Sequence, residues 1–493
     1  MLYFLVFLTV ALYFFKLGSF QVWSPNEAFY AEATRQMLQS GDFLNPYYNG
    51  ELRLNKPPMT YWLVSLGYLL LGVNELGLRL MHALLGVGTG LLTFLIAREL
   101  TGNWQAGILS LLILLLSLQF FASAQYASPE VPFTFFITLS LYLWLISYRR
   151  KSLFVLLLAF ISSSLAMLVK GPAGFVLPAG VVFLYLLLEN PRELLKLRYY
   201  LLSLPALLLG LGWHGYQLLT KGELFWEVFY KENIRRIYHG DEPIYFYLLD
   251  TNVSFLPYSL LFFPALLWVI FNLRRECLFP LVWFTFVYGL FSLISQKIPL
   301  YVLPAFPALA IITSCFLLSQ DWERLKRFLS FLLCSLMVLA LLLAVFFFSL
   351  HPALLLLLPL PFFVFFKEYR LSPAVAGILL VLFLKTSLLP YIESSRGVKE
   401  LGKFIKSLDP ESLKPTYQLG HFHHSLPFYS GRRIIRGGEP QRGALVVFRL
   451  GYFGGCEPVK TFRLYTGSES RLFKFLMDAR RGKNFADFGV CLY

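Results

Sequence analysis

The feature that most constrains this chain is an apolar run of about 17–22 residues that recurs from Met1 to Pro390 between short polar or charged breaks. A helix needs about 20 such residues to cross about 30 Å of hydrocarbon. Barrel strands would show period two in segments of about ten residues. The chain is 57% hydrophobic and only 14% charged, whereas a soluble domain is nearer one quarter charged. The expected fold class is an all-α polytopic membrane protein. Its lipid-facing backbone must satisfy its polar groups within each helix.

About 13 candidate spans follow, at 1–18, 76–97, 104–121, 130–148, 153–170, 173–188, 199–219, 255–271, 278–294, 299–318, 328–350, 352–366 and 372–389. The run 59–73 is ambiguous, and charge resolves it. Arg149, Arg150 and Lys151; Arg192, Lys196 and Arg198; Arg274 and Arg275; Arg324, Lys326 and Arg327; and Lys367 and Arg370 share the cytoplasmic side only if the spans alternate as given. Arg98 joins them only if 59–73 does not cross, so this run reads as a helix at the outer interface. The first apolar stretch lacks a basic n-region and a small-residue cleavage site and reads as an uncleaved helix. The expected organisation is a transmembrane domain over 1–391, with interface helices in a first outer loop at 19–75, and a small extracytoplasmic α/β domain over 392–493. The N-terminus is expected in the cytoplasm and the C-terminal domain outside, with the chain in a bacterial inner membrane.

In 392–493, alternation over Ala444–Leu450 predicts a strand, and helices are predicted over Gly397–Ser407 and Ser470–Arg480. This segment carries 17 Lys and Arg against 9 Asp and Glu, about half of the net charge of +15. That surplus is read as membrane topology and attraction to anionic lipid or substrate, not as a nucleic-acid signature. Cys277, Cys315 and Cys334 lie in or beside apolar runs. Cys456 and Cys491 share the outer segment, where a disulfide is one option and free thiols the other. No metal-ligand spacing, phosphate-binding loop or dinucleotide fingerprint is present. His421, His423 and His424 cluster without an identifiable carboxylate partner.

Two lysines, Lys170 and Lys297, stand at outer span ends against the charge trend, and Lys56 is a third cation at the same level. Lys56 precedes Pro57-Pro58, Lys170 precedes Gly171-Pro172, and Lys297 precedes Ile298-Pro299. Three cations at one level suit an anionic headgroup such as a phosphate; snorkelling to lipid is the competing explanation. Glu27 and Glu130 fall on the same face. Ser24-Pro25-Asn26-Glu27 also fits a helix capping box, and Glu130 fits a helix N-terminal charge. Glu232-Asn233-Ile234-Arg235-Arg236 reads either as an amphipathic interface helix or as a phosphate grip through Arg235 and Arg236.

These segments together resemble the lipid-linked-sugar glycosyltransferases of the GT-C superfamily, in the branch of protein O-mannosyltransferases and lipid A aminoarabinose transferases. The resemblance rests on Pro25 to Glu32, on Gly41 to Pro46 through Asn49-Gly50, and on Lys56-Pro57-Pro58 with Tyr61-Trp62. It continues with Glu130 to Phe136, Lys170-Gly171-Pro172, and Ser295 to Pro307 including Lys297, Tyr301, Pro304 and Pro307. The resemblance implies inverting transfer of one hexose or pentose from a polyprenyl-phosphate carrier at the outer face. It implies Glu27 and Glu130 as catalytic carboxylates, and Lys56, Lys170, Lys297, Tyr30 and Tyr301 around the donor phosphate. Asn26, Arg53, Arg235 and Arg236 are expected substrate contacts. Asn26 stands in place of the family's first-loop Asp, Phe29 in place of an Arg, Glu130 in place of the second Asp, and Asn233 where the aminoarabinose transferases often have His.

The expected partners are the carrier-linked donor, membrane lipids and an acceptor, with lipid A or a related glycolipid ahead of protein. No cofactor is expected, with a divalent cation as the alternative. A transporter or flippase is the competing class. It is disfavoured because no internal repeat is visible and the unusual charges gather at one face rather than the midplane.

Overall fold

In the computed structural model, which describes residues 1–272, 274–348, 350, 352–469 and 472–493, the apolar runs become helices packed into one bundle. The helices that build the site are α1 (Leu2–Phe14), α2 (Asn26–Ser40), α3 (Met59–Leu71), α4 (Glu75–Thr101), α5 (Trp104–Leu116), α6 (Leu118–Ser123), α7 (Glu130–Arg150), α8 (Leu153–Lys170), α9 (Ala173–Glu189) and α10 (Leu197–Lys221). Seven described helices are long and apolar enough to cross a membrane, and five shorter apolar ones, α1, α3, α5, α9 and Ser259–Asn272, stand beside them.

The bundle is centred on α5 and on Phe306–Leu318, which are apolar on every side and buried almost throughout. A helix with no polar face has to be surrounded by others. Ser110 and Ser314 meet across this pair, oxygen to oxygen at 2.6 Å, where small residues let backbones approach. By contrast, α1 and α10 expose Tyr3, Phe4, Phe7, Leu208 and Leu219, as lipid-facing helices should.

The run 59–73 forms α3, only 13 residues long. Since α1 and α5 are equally short, length alone does not set it apart. Thr60, Tyr61, Ser65 and Tyr68 turn inward, and Tyr68 donates to the Ala31 carbonyl of α2. Two-residue strands β1 (Tyr47–Tyr48) and β2 (Glu51–Leu52) pair between α2 and α3.

The C-terminal segment carries β3 (Thr416–Leu419), β4 (Ile434–Arg436), β5 (Leu445–Arg449), β6 (Lys460–Tyr465) and β7 (Phe485–Leu492) in the order β4-β3-β5-β7-β6. Strands β4, β3 and β5 run parallel, and β7 is antiparallel to both neighbours. The predicted strand at Ala444–Leu450 is β5. The predicted helices form at Val398–Leu408 and Leu472–Arg481; Ser470 and Arg471, the start of the second prediction, lie outside the described residues. Cys456 and Cys491 are joined by a disulfide. The sheet is stitched to the segment between α2 and α3. Asn49 pairs through its side chain with both the N–H and the carbonyl of Ile434, at 2.8 and 2.9 Å.

Candidate active site

The segment between α1 and α3 is organised around Glu27. Helix α2 begins at Asn26 without a side-chain cap, so the capping box that the sequence allowed does not form. Glu27 instead turns into the protein and is fully buried. Arg79 of α4 grips it bidentately, at 2.8 Å to Oε1 and 2.7 Å to Oε2. The Trp23 amide donates to Oε2 and the Ala127 amide to Oε1, each at 2.9 Å. Arg79 spends its remaining donors on the carbonyls of Leu17, Phe20 and Gln21. A buried pair so fully satisfied is rigid and costly to break. All four contacts on the Glu27 oxygens come from the protein, which suits a positioning residue rather than the catalytic base that the resemblance implied. What it positions is visible: Ala127 belongs to the turn that leads into Glu130 at the start of α7.

Glu130 opens onto a cluster of charges. Lys170, at the end of α8, donates to its Oε1 at 3.2 Å. The Lys170 ammonium also lies 5.0 Å from the centre of the Tyr301 ring and 5.5 Å from that of Phe133. The Tyr301 hydroxyl receives Arg236 at 2.7 Å. Arg236 and Lys56 both donate to the same oxygen of Glu232, at 2.7 and 2.8 Å, and Asn55 reaches the other oxygen at 3.3 Å. Lys56, Arg236 and Lys170 therefore surround a short path from Glu232 through Tyr301 to Glu130. A small recess is lined here by Asn55, Lys56, Lys170, His214, Glu232 and Asn233 among others.

Burial pushes the Lys56 ammonium below its ordinary range. Glu232 opposes the shift, while Arg236 and Lys170 add to it. Burial pushes the Glu232 carboxyl up, but Lys56 and Arg236 outweigh it and hold that group below the usual carboxylate range. One carboxylate thus balances two cations that face the same spot. A phosphate, with several charged oxygens, would match this set of donors better.

The other expected residues divide. Tyr30 is buried with its ring 5.1 Å from that of Tyr61, and Asn26 and Arg235 are exposed. Arg53 lies with its guanidinium carbon 4.0 Å from the centre of the Phe29 ring. Lys297 does not join the cluster. Its ammonium is held by the carbonyls of Glu242 and Ile294, at 2.9 and 2.7 Å. It fixes the return of the 236–242 loop, where Ser295 and Gln296 donate to the Ile237 and Arg236 carbonyls. His423 is buried against Gln418, at 2.6 Å, and no metal-binding group of His, Cys, Asp and Glu occurs among the described residues.

Sequence reasoning passed over Arg79 and the part played by Glu232. Both left a signal: an arginine inside the apolar run 76–97 demands a partner, and Glu232 precedes Arg236 by one helical turn.

The chain is similar to known proteins at several levels. The family model described as dolichyl-phosphate-mannose-protein mannosyltransferase matches residues 1–226. An uncharacterized protein of Aquifex aeolicus (strain VF5) is 55% identical over 486 residues, 98% of this chain and 97% of the relative. The undecaprenyl phosphate-alpha-4-amino-4-deoxy-L-arabinose arabinosyl transferase of Pseudomonas aeruginosa (strain UCBPP-PA14) is 31% identical over 315 residues; the match covers 61% of this chain and 56% of that transferase. Among solved structures, ArnT from Cupriavidus metallidurans bound to undecaprenyl phosphate superposes with a TM-score of 0.78 at 20% identity, covering 91% of this chain and 92% of that one. This last likeness establishes the fold.

Proposed function

We propose that this chain is a membrane glycosyltransferase of the GT-C type that moves a sugar from a polyprenyl-phosphate carrier to an envelope glycolipid of the lipid A type. The observation that carries this reading is the clustering of Lys56, Arg236 and Lys170 around Glu232 and the Tyr301 hydroxyl, beside a recess that Lys56 and Lys170 line. The likeness to a transferase named for undecaprenyl phosphate and to a structure bound to that lipid supports it.

In this reading the carrier phosphate takes the place that Glu232 holds between Lys56 and Arg236. The acceptor oxygen attacks the anomeric carbon from the face opposite the phosphate. The carbon–oxygen bond to the phosphate breaks, its electron pair stays on the phosphate oxygen, and the anomeric configuration inverts. Lys56, Arg236 and Lys170 stabilise the charge that builds there, in a site where little water dilutes them. Glu130 takes the proton when the acceptor is a hydroxyl. When the acceptor is itself a phosphate, no base is needed and Glu130 holds Lys170 in place. Glu27 sets the geometry through Ala127 and Trp23. Three cations and a phenol supply the charge stabilisation, so the reading requires no divalent cation.

The N-terminus is cytoplasmic and 392–493 extracytoplasmic in this reading. The basic breaks between spans support that orientation, and so does the Cys456–Cys491 disulfide, since disulfides persist in oxidising compartments. Mass spectrometry of lipid A and envelope glycans from a strain lacking the gene tests the function. Loss of one sugar substituent from lipid A, restored by the wild-type gene, is expected; an unchanged lipid A with a missing protein glycan would overturn the acceptor assignment.

A further inference from the structure

A second group of cations lies at the seam between the first outer loop and the C-terminal sheet, next to the Lys56 cluster. Arg53 comes from the loop; Arg433 and Arg436 come from β4 and the residue before it. Among the described residues none of the three forms an ion pair. Their contacts are aromatic instead. Arg53 lies over Phe29 at 4.0 Å, and Arg436 over Phe422 at 4.0 Å and over Tyr48 at 5.9 Å. Arg433 lies against Gly50, whose backbone has a φ of +81° and where an added Cβ would meet the arginine at 3.1 Å.

The seam is built, not a chance approach of two surfaces. The Tyr48 hydroxyl donates to the His424 carbonyl at 2.8 Å, next to the Asn49 bridge to Ile434. The Phe29 ring packs edge-on to Tyr48 and to His424, at 4.8 and 5.2 Å, and Phe422 packs edge-on to His424 at 5.3 Å. Burial and the nearby charges of Arg436, His421 and Arg53 bring His424 down to about 4, so its ring is neutral at ordinary pH and adds no charge. Within this frame Arg53 faces the Tyr61 hydroxyl and Tyr30, and among the described residues no carboxylate lies within ion-pair distance of it. An arginine that meets phenols and rings rather than a carboxylate keeps a charge suited to a phosphate.

The neighbouring carboxylates are engaged elsewhere. Glu32 is held by Arg35 and Gln36, and Glu232 by Lys56 and Arg236. The seam also sits beside the donor cluster, because Arg53 precedes Lys56 by three residues and exposed Asn26 precedes Phe29 by three on α2.

Resting on the proposed function, we propose that this seam is the acceptor seat and takes a phosphorylated saccharide headgroup. Arg53 and Arg436 grip its phosphate, Arg433 adds charge at the rim, and Phe29, Phe422 and His424 flank the sugar. The sheet then contributes directly to acceptor recognition, which explains why its edge strand β4 is bonded to the loop that bears the donor site.

The test is equilibrium binding to the full chain in nanodiscs, with three probes: lipid A 1,4′-bisphosphate, the same lipid A stripped of phosphate, and undecaprenyl phosphate. Arg53→Gln and Arg436→Gln are each expected to weaken the bisphosphate about tenfold or more, the loss of a charge-assisted contact, and to leave undecaprenyl phosphate unchanged. That unchanged binding also certifies that the variants fold. Wild-type protein is expected to bind the dephosphorylated lipid A about tenfold more weakly. Equal binding of the bisphosphate by wild type and both variants overturns the seat, as does equal binding of both lipid A forms by wild type. If wild type binds undecaprenyl phosphate but neither lipid A form, the seat fails while the donor reading stands. If it binds lipid A bisphosphate but not undecaprenyl phosphate, the donor reading fails instead.

Discussion

Arg79 and Arg396 donate to the same oxygen, the Gln21 carbonyl, each at 3.0 Å. One arginine belongs to the helical bundle and the other to the segment that enters the C-terminal sheet. Each is neutralised by its own carboxylate, Arg79 by Glu27 and Arg396 by Glu469. Arg396 also donates to the Val22 carbonyl and covers the Trp23 ring at 4.7 Å, and Glu469 accepts the Ser24 amide. The backbone from Leu17 to Glu27 is thereby clamped from two sides, immediately before the site.

This clamp predicts that Glu469→Gln and Arg396→Gln act on turnover more than on donor binding. The expected result is a fall in kcat of about tenfold with the KM for donor nearly unchanged, partly restored by Arg396→Lys. Steady-state kinetics in detergent or nanodiscs measures the split. A rise in KM at constant kcat would place the clamp in substrate binding instead.

Glu27→Gln tests whether that residue positions or reacts. Losing one charge of a buried, fully bonded pair costs roughly 3–5 kcal/mol. The variant should therefore show a clearly lower thermal midpoint together with lost activity. A catalytic base would lose activity at unchanged stability.

Glu232 competes with the carrier phosphate for Lys56 and Arg236. Glu232→Gln frees both cations from their carboxylate, so undecaprenyl phosphate should bind about tenfold tighter. If the released carrier then leaves more slowly, turnover drops in the same variant. Isothermal titration on the detergent-solubilised protein reads the first effect, and a burst followed by a slower steady state reads the second.

The Lys56 ammonium is held below its ordinary range by burial, and only the charged form binds phosphate. Its charge disappears as pH rises through that lowered value, so donor binding should fail at a less alkaline pH than an ordinary lysine would allow. Lys56→Arg, whose charge persists, should move this alkaline limb upward in a pH profile of donor binding.

Much of the molecule was legible in local pattern. Span lengths marked the helices because hydrocarbon thickness fixes them, and the alternation at Ala444–Leu450 marked β5. Glu130 and Lys170 stood out as charges at outer span ends and Lys56 as a cation at the same level, and the structure brings the three into one cluster. What stayed hidden joins distant parts of the chain. Ser24 meets Glu469 and Gln21 meets Arg396 across several hundred residues, and no periodicity encodes such contacts. Lys297 misled for a related reason. A lysine at a span end looks the same in sequence whether it faces a ligand or caps two carbonyls of a neighbouring loop. Ser24-Pro25-Asn26-Glu27 misled locally, because Arg79 outcompetes a helix cap for the Glu27 carboxylate.

The affinity of the purified chain for undecaprenyl phosphate, compared with Lys56→Ala and Arg236→Ala at fixed ionic strength, bears most directly on the site. Each substitution should weaken binding by about tenfold or more while the thermal midpoint holds. Undiminished affinity in both variants would mean that the carrier phosphate is held somewhere else.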